Sequence, residues 1–188
     1  MAGNDKLETA IVGGGCFWCT EAIFQRVKGV EQVEPGYAGG EVDNPSYKQV
    51  CGGNTGHAEV IRIQFDPSVI GYKEILGIFM ATHDPTQLNR QGNDVGTQYR
   101  STIMPLNDTQ KQIAEAVIAE LKEKGVFGDP IVTTIEPLDE EKDFYVAEQY
   151  HHNYYNDNPS QGYCSVIIDP KVRKFKQQFD SYLKDSAK

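Results

Sequence analysis

Residues 9–27 read TAIVGGGCFWCTEAIFQRV, an apolar run followed by three glycines and a helix-compatible run. This order is typical of a strand, a tight turn and a helix start, and it places Cys16 at the turn. Free backbone N–H groups and the positive end of a helix dipole favour an anion there, which predicts that the Cys16 thiol tends toward thiolate. Phe17 and Trp18 follow it directly, and Cys19 stands three positions on. We interpret the stretch as a catalytic site with a reactive sulfur beside an apolar platform.

Length and charge limit what the chain can be. Its 188 residues and 21.0 kDa fit one well-packed domain, so we expect a single catalytic domain over 1–188. A formal net charge of −9 and an isoelectric point near 4.9 argue against nucleic acid or an anionic membrane as a partner. No stretch approaches the ~20 apolar residues of a membrane span, and the N-terminus lacks the apolar core of a secretory signal. We expect a cytoplasmic protein that works as a monomer.

Hydrophobic periodicity and turn residues predict interleaved strands and helices. Extended segments are predicted at 8–12, 29–40, 58–66, 99–105, 130–136 and 166–168, and helices at 16–27, 72–83, 108–124, 143–155 and 170–184. Long polar loops at 41–55 and 83–96 are candidates for function. We predict an α/β (α+β) fold, a two-layer sandwich with a mixed β-sheet and flanking helices around a ferredoxin-like core. The strand order is not readable from the sequence, and the C-terminal segment from about residue 156 is predicted to be mobile.

Glu59 begins a strand in which side chains alternate between two faces of the sheet. Ile61, Ile63 and Phe65 share its face, which is apolar, whereas the other face carries mostly polar residues. A carboxylate on the core face loses water, which raises its pKa. A carboxyl group that keeps its proton near neutral pH is suited to general acid catalysis, so Glu59 is a candidate acid. The alternative is a strand-end glutamate that turns back to solvent.

The C-x-x-C spacing of Cys16 and Cys19 has two chemical interpretations. One is a thioredoxin-like redox pair at a helix N-terminus. The other is half of a zinc site, which is less favoured because no second C-x-x-C exists and distant ligands would have to converge. Four irregularly spaced cysteines do not suggest a secreted disulfide scaffold. We therefore expect no metal, and we predict that Cys51 is a small buried apolar residue.

Further candidates lie in polar loops and near the C-terminus. Cys164 occupies a turn-rich segment, and a thiol on a mobile loop can swing to another sulfur, although an inert cysteine is the alternative. The hydroxyls of Tyr47 and Tyr99 can hold an oxygen without adding charge, but packing is the commoner role of a tyrosine. Asp94 either orients a water or a substrate N–H or stabilises its turn. The histidine pair at 151–152 is predicted to be packed or on the surface rather than ligating.

Seven segments together resemble the A-type peptide methionine sulfoxide reductases. They follow the family's order from about residue 7 to 168, and although any one could arise by chance, the set is very specific. The segments are Gly15–Trp18, Gly36–Gly40, Asn44–Tyr47, Thr55–Glu59, Asp94–Ser101, Ala147–His151 and Gly162–Cys164.

The resemblance implies reduction of methionine S-sulfoxide, free or in proteins. In the family, the cysteine matching Cys16 attacks the sulfoxide sulfur as a thiolate, and the position of Glu59 protonates the oxygen. The positions of Tyr47 and Tyr99 hydrogen-bond that oxygen. Asp94 would orient the catalytic water and the polar side of the site.

The resemblance also implies a methyl pocket and a recycling step. Phe17 and Trp18 would enclose the S-methyl group. The products would be methionine and a sulfenic acid on Cys16, the first step of cysteine oxidation. A resolving thiol then condenses with it, and thioredoxin reduces the disulfide, so no cofactor beyond thioredoxin is expected.

Two positions depart from the family pattern. Many members have glycine where this chain has Cys19, so the resolving thiol is either Cys164, which matches the usual position and is favoured, or Cys19. His152 and Asn153 stand where Gln and Asp are more usual, which weakens only a role for that helix. The competing hypotheses are a general thiol–disulfide oxidoreductase using the C-x-x-C pair and a zinc-stabilised binding module.

Overall fold

The computed structural model describes residues 6–188, which form a main sheet, a two-stranded ribbon and helices packed around them. The strands are β1 (Glu8–Gly13), β2 (Val30–Ala38), β3 (Ala58–Phe65), β4 (Arg90–Gln91), β5 (Asp94–Val95), β6 (Thr102–Met104), β7 (Thr134–Ile135) and β8 (Phe144–Val146). The α-helices are α1 (Phe17–Phe24), α2 (Tyr47–Cys51), α3 (Tyr72–Ala81), α4 (Asp108–Glu123), α5 (Glu140–Asp143), α6 (Tyr154–Asp157) and α7 (Asp169–Gln178).

Six strands form the main sheet in the order β7-β6-β1-β3-β2-β8. Only β6 and β7 run parallel, so the sheet is mixed. The four central strands, β6-β1-β3-β2, are joined through α1 between β1 and β2 and through α3 between β3 and β6. This β-α-β-β-α-β order is the ferredoxin-like arrangement, so the predicted mixed-sheet α/β fold with that core is confirmed.

The main sheet buries apolar side chains on both faces. One face packs against helices that include α1 and α3, and Ile61 and Ile63 of β3 lie in this larger core with Val12. The opposite face has a smaller core that contains Val60 and Phe144. β3 is therefore buried on both sides, and the side chain of Val60 is covered although the sequence pattern indicates a mostly polar face.

The prediction of a helix over 143–155 is wrong. Phe144–Val146 is the edge strand β8, with Val146 opposite Gly36 of β2. A 3₁₀ turn at Gln149–His151 follows, and α6 begins only at Tyr154. The Phe144 ring lies over Gly36, where an added side chain would collide with it. Aromatic and β-branched residues suit a half-buried edge strand, and this tertiary contact overrides the helical pattern.

Two further segments differ from their predictions. The piece predicted to be extended at 166–168 lies in a π-helical turn, Cys164–Ile168, which runs directly into α7. Cys164 and Ile168 are both buried, and their four-residue spacing puts them on one side of a helix. The loop predicted at 41–55 contains α2, which begins with a capping box at Ser46. None of the helices within residues 6–188 is long and apolar enough to span a membrane.

Candidate active site

Cys16 lies where β1 ends and α1 begins, as the strand–turn–helix pattern predicts. Gly15 makes the turn with φ 82°, a left-handed conformation that glycine adopts without strain. Its N–H donates to the carbonyl of Tyr99 at 3.1 Å, which ties the turn to the loop before β6. Cys16 caps the first turn of α1 in an extended conformation, and its side chain is only 8% exposed.

Burial decides the protonation of Cys16. It raises the pKa of the thiol well above the ordinary value, the negative charge that Glu59 carries when ionised raises it further, and the backbone N–H of Trp18 lowers it. The expectation of a resting thiolate at the helix start is therefore wrong. The loss of water outweighs the dipole of a helix only eight residues long. The sulfur rests as a thiol, so its proton must leave before it can act as a nucleophile.

Glu59 lies on the helix-facing side of β3 and is 1% exposed, so its predicted burial is confirmed. Its Oε1 accepts a hydrogen bond from the N–H of Phe17 at 3.1 Å, which places the carboxyl beside the residue that follows the cysteine. Its Oε2 is buried and has no hydrogen-bond partner among residues 6–188. Burial raises the pKa of Glu59 to about 8, and the charge of Asp94 adds to this. At neutral pH the carboxyl holds a proton close to the thiol.

Aromatic rings from distant parts of the chain surround Phe17. Its ring centroid is 5.7 Å from that of Tyr37, 6.4 Å from that of Tyr47 and 5.1 Å from that of His151. His151 is fully buried, and its ring also lies 4.3 Å from that of Tyr47. The cluster forms an apolar wall next to Cys16, as the sequence predicts, but with more rings than the neighbouring residues of the cysteine supply.

Trp18 is held from two sides. Its indole Nε1–H donates to Nδ1 of His151 at 3.0 Å. Its ring stacks on Tyr154 with centroids 3.8 Å apart and planes 9° from parallel. The edge of Tyr163 completes the surroundings at 5.9 Å. These contacts fix the plane of the indole, so the wall beside the sulfur is rigid.

Tyr47 and Tyr99 both approach the site, as predicted. Burial raises the pKa of each phenol, so both keep their protons as hydrogen-bond donors. For Tyr47 the next cause is a hydrogen bond with Cys51 and then the charge of Glu59, whereas for Tyr99 the charge of Glu59 comes next. Tyr47 is the first residue of α2, and its N–H donates to Oε2 of Glu148 at 2.9 Å. The other oxygen of Glu148 accepts from the hydroxyl of Tyr37, also at 2.9 Å. One carboxylate thus fixes the backbone of α2 to β2.

Asp94 lies on the small ribbon formed by β4 and β5. Its Oδ2 accepts a hydrogen bond from the hydroxyl of Tyr163 at 2.5 Å. The same hydroxyl lies 3.8 Å from Sγ of Cys19. Asp94 also acts electrostatically on Glu59, whose pKa it raises. The structure therefore brings Asp94 to the candidate site and links it to the C-terminal segment through Tyr163.

The four cysteines are all reduced, and they occupy different environments. Cys16, Cys19 and Cys164 are buried and belong to the same core cluster. Cys51 is exposed at the end of α2, so the prediction that it is buried is wrong. Among residues 6–188, no three His, Cys, Asp or Glu side chains are placed to hold a metal ion, and the zinc interpretation finds no ligand set there.

Several residues that support the site could not be assigned from the sequence. Glu148, His151, Tyr37 and Tyr163 act on residues that lie more than 60 positions away in the chain, apart from the Phe17–Tyr37 contact. Their local patterns carry no sign of these partners. His151 does lie packed, which was one of the two predictions for the pair at 151–152. The only signal for the others was that Tyr37, Glu148 and Tyr163 lie in segments that match the family pattern, which gave them no role.

The arrangement can protonate one atom while a sulfur attacks its neighbour. A buried carboxyl with a free oxygen, a thiol and two phenol hydroxyls border an aromatic wall. Neutral donors that face a site poor in water stabilise an oxygen that gains negative charge. Such a site suits a small group that has both a polar oxygen and an apolar end.

The chain is similar in sequence to a family of known reductases. The chain matches the family model described as peptide methionine sulfoxide reductase over residues 8–183. It is 61% identical to the peptide methionine sulfoxide reductase MsrA of Nitratiruptor sp., over 94% of this chain and 98% of that protein. It is 58% identical to the MsrA of Deinococcus radiodurans, over 94% of this chain and 84% of that protein.

The fold is similar to that of Mxr1 from Saccharomyces cerevisiae. The reduced form of Mxr1 gives a TM-score of 0.74 at 38% identity, with 85% of this chain and 90% of that chain covered. An unusual oxidized form gives 0.59 at 37% identity, with 85% of each chain covered. A structure of Mxr1 in complex with Trx2 gives 0.52 at 26% identity, over 80% of this chain and 86% of that chain.

Proposed function

The chain belongs to the peptide methionine sulfoxide reductase family and is a methionine sulfoxide reductase, and on this premise we propose its substrate and its chemical cycle. The substrate is the S epimer of methionine sulfoxide, free or within proteins. The observation that carries the proposal is the carboxyl of Glu59, buried with Oε2 unpartnered and bonded to the N–H of Phe17. It supplies a proton next to the thiol of Cys16.

The reductive step begins with the thiol of Cys16. The sulfur attacks the sulfoxide sulfur and forms an S–S bond, while the oxygen takes one proton from Glu59 and one from the thiol and leaves as water. Tyr47 and Tyr99 donate hydrogen bonds to this oxygen. A water molecule then attacks the sulfur of Cys16, the S–S bond breaks with its electron pair going to methionine, and the proton released from the water returns to Glu59. The products are methionine and Cys16–S–OH.

The protonated state of Glu59 also assists the nucleophile. Glu59 as an anion raises the pKa of Cys16, so a neutral carboxyl lets the thiol ionise more easily. A substrate oxygen that takes the carboxyl hydrogen bond is polarised, and the sulfur next to it becomes more electrophilic. Burial of Glu59 therefore favours both the acid and the thiolate that attacks.

The aromatic wall determines the orientation of the bound sulfoxide. The S-methyl group packs against Phe17 and Trp18, while the oxygen points to Glu59 and the phenols. A sulfoxide sulfur is a chiral centre, so exchanging its methyl and oxygen positions removes both sets of contacts. The site discriminates between epimers because the wrong one leaves buried polar groups unpaired.

A second thiol then resolves the sulfenic acid, and we assign this role to Cys164. The thiol attacks Cys16–S–OH, a disulfide forms and water leaves, and a dithiol of thioredoxin reduces the disulfide by exchange. Tyr163, next to Cys164 in sequence, contacts Asp94 and Cys19. The C-terminal segment around Cys164 therefore lies against α1, the helix that Cys16 caps. Two thiols supply both electrons, so the cycle needs no bound cofactor.

The comparisons support this cycle through the yeast protein. Mxr1 has been solved in complex with Trx2, which fits recycling by a thioredoxin. This structure, with four free cysteines, is more similar to the reduced form of Mxr1 than to its unusual oxidized form, at TM-scores of 0.74 and 0.59. The difference fits a fold that changes between the reduced and the oxidised protein.

Cys19 is the alternative resolving thiol. It is three residues from Cys16 at the start of α1, and its N–H bonds the carbonyl of Cys16 at 3.0 Å. Burial raises the pKa of Cys19, whereas Lys171 and the hydroxyl of Tyr163 lower it. Cys19 is 4% exposed and Cys164 is 0% exposed, so burial does not distinguish the two thiols. Cys164 is favoured because it matches the usual resolving position of the family.

The test is an assay on the separated epimers of an N-acetylated methionine sulfoxide, with thioredoxin as reductant and each cysteine replaced by serine in turn. We expect turnover of the S epimer only, and none in Cys16→Ser. Cys164→Ser should release about one methionine per enzyme and then stop, while Cys19→Ser and Cys51→Ser should turn over. Turnover in Cys16→Ser would refute the mechanism, and sustained turnover in Cys164→Ser would transfer the resolving role to Cys19.

A further inference from the structure

Glu21 is a buried acid that the proposed cycle does not use. It lies on α1, one helical turn beyond Trp18, and it is 1% exposed. Its Oε2 accepts a hydrogen bond from the N–H of Asn153 at 2.9 Å, and the backbone N–H groups of Asn153 and Tyr154 both lower the pKa of the carboxyl. Asn153 has φ 59° and ψ 28°, and this left-handed residue turns the chain into α6. The carboxylate therefore holds the backbone at the start of α6.

The residue fixed in this way is part of the aromatic wall. Tyr154 is the ring that stacks on Trp18, with centroids 3.8 Å apart. Other bonds join the two helices at more exposed positions, where Gln25 donates to the side chain of Asn153 and Arg26 to that of Asn156. Among the hydrogen bonds between these two helical segments within residues 6–188, only that of Glu21 reaches the main chain, which places it to set the position of the Tyr154 ring.

We propose that Glu21 is a positioning residue for the methyl pocket, which fixes Tyr154 against Trp18 by holding the N–H of Asn153, the residue that turns the chain into α6. The proposal rests on the assignment of Trp18 to the wall that receives the S-methyl group. It extends that assignment to a residue that does not touch substrate. A looser stack would allow the indole to tilt, which would weaken methyl binding and admit a larger alkyl group.

Charge makes this contact sensitive to pH. Burial raises the pKa of Glu21 to about 7, and the nearby carboxylate of Asp157 on α6 also raises it. Arg26, on the same helix, bonds the carbonyl of Ala22 and the side chain of Asn156. A protonated carboxyl accepts N–H hydrogen bonds less strongly than a carboxylate does, so the contact weakens as the pH falls through 7.

The central experiment uses Glu21→Gln, which keeps the shape of the side chain and imitates the protonated acid. Glu123→Gln, at the exposed end of α4, is the matched control. We expect Glu21→Gln to raise KM for methionine S-sulfoxide about two- to tenfold, the range expected when one aromatic stack is lost. The rate of the reductive step at saturation should change less, and discrimination against the S-ethyl homologue should fall. Glu123→Gln should match the wild type.

A second readout needs no substrate, because Trp18 is the only tryptophan in the chain. Its emission should titrate near pH 7 in the wild type and in Glu59→Gln, and this transition should be absent in Glu21→Gln and in Tyr154→Leu. If Glu21→Gln does not fold, the wild-type titration and the KM of Tyr154→Leu decide the matter. An unchanged KM with an unchanged titration in Glu21→Gln would overturn the proposal. An enzyme inactive on every sulfoxide but with the expected titration would refute only the proposed function.

Discussion

Glu59 provides the first prediction at the scale of single residues. Glu59→Gln keeps the hydrogen-bond acceptor for Phe17 but removes the acidic proton. We expect the reductive step to slow by about 10²- to 10⁴-fold, the usual contribution of a general acid. The measurement is methionine released in a single turnover, and Glu123→Gln serves as a control for the loss of a carboxylate elsewhere.

The same residue predicts the alkaline limb of the pH profile. Burial raises the pKa of Glu59 to about 8, so its acid form is present below that value and disappears as the pH rises through it. The single-turnover rate of the wild type should therefore fall above pH 8, even though a higher pH favours the Cys16 thiolate. Glu59→Gln should lack this decline. A decline of equal size in the variant would assign the limb to another group.

The burial of a single residue could be predicted from the sequence where the pattern of its own strand was sufficient. Glu59 shares its face with Ile61 and Ile63, and alternation along the strand was enough to predict its burial. His151 could not be found in this way, because its partner Trp18 is 133 positions away. The thiolate expected at Cys16 failed for a related reason. The helix start is local and visible in sequence, whereas the burial that outweighs it comes from the whole fold.

Gly36 gives a prediction at the scale of elements, since β8 pairs with β2 only if no side chain stands there. A Cβ at Gly36 would collide with the ring of Phe144 and lie 2.6 Å from the carbonyl of Tyr145. We expect Gly36→Ala to lower the free energy of unfolding by about 1–3 kcal/mol, as overpacking does. Urea unfolding measures this, with Gly128→Ala as the control because no atom lies within 4 Å of its added Cβ. Equal urea midpoints for Gly36→Ala and the wild type would show that β8 accommodates the added methyl group without a loss of stability.

His83 links the end of α3 to the residue before β6. Its Nδ1–H donates to the carbonyl of Phe79 at 2.6 Å, and its Nε2 lies 2.7 Å from the hydroxyl of Ser101. Burial lowers the pKa of His83 to about 4, below the value of about 6.5 in an unfolded chain. Its contribution to stability is therefore complete above about pH 6.5 and is lost as the pH falls toward 4.

The measurement for His83 is urea unfolding at pH 7 and pH 5. We expect the free energy of unfolding of the wild type to fall between these values by an amount on the order of 1 kcal/mol or more from this group. His83→Gln should be less stable than the wild type at pH 7, but its free energy of unfolding should fall less between pH 7 and pH 5. Parallel losses in the two proteins would mean that other groups cause the acid sensitivity.

Elements were predictable from sequence where local pattern and tertiary packing agree. β1, α1 and β3 follow from apolar runs and a glycine turn, and the structure has all three close to the expected positions. The segment 143–155 has a helical composition, but its residues 144–146 form β8, because Phe144 packs over Gly36, more than 100 residues away. A short stretch of sequence cannot predict this pairing, because the two strands lie far apart in the chain.

The cycle as a whole predicts a movement of the C-terminal segment. Cys164 is completely buried in the reduced protein, within a π-helical turn that runs into α7. We expect this turn to open when a disulfide with Cys16 forms, because the sulfur of Cys164 must leave its buried position to become accessible to thioredoxin. Opened segments exchange their amide protons faster than packed ones.

Hydrogen exchange on the reduced and the oxidised enzyme tests this movement. We expect amides at 158–168 to exchange at least about tenfold faster after oxidation by one equivalent of methionine S-sulfoxide, which corresponds to about 1.4 kcal/mol of lost local protection. Amides of β3 are the internal control and should not change. Mass spectrometry of the oxidised protein should find Cys16 linked to Cys164. The opposite outcome is unchanged exchange at 158–168 together with a disulfide between Cys16 and Cys19. It would mean that the resolving thiol is Cys19 on α1 and that the C-terminal segment only covers this helix.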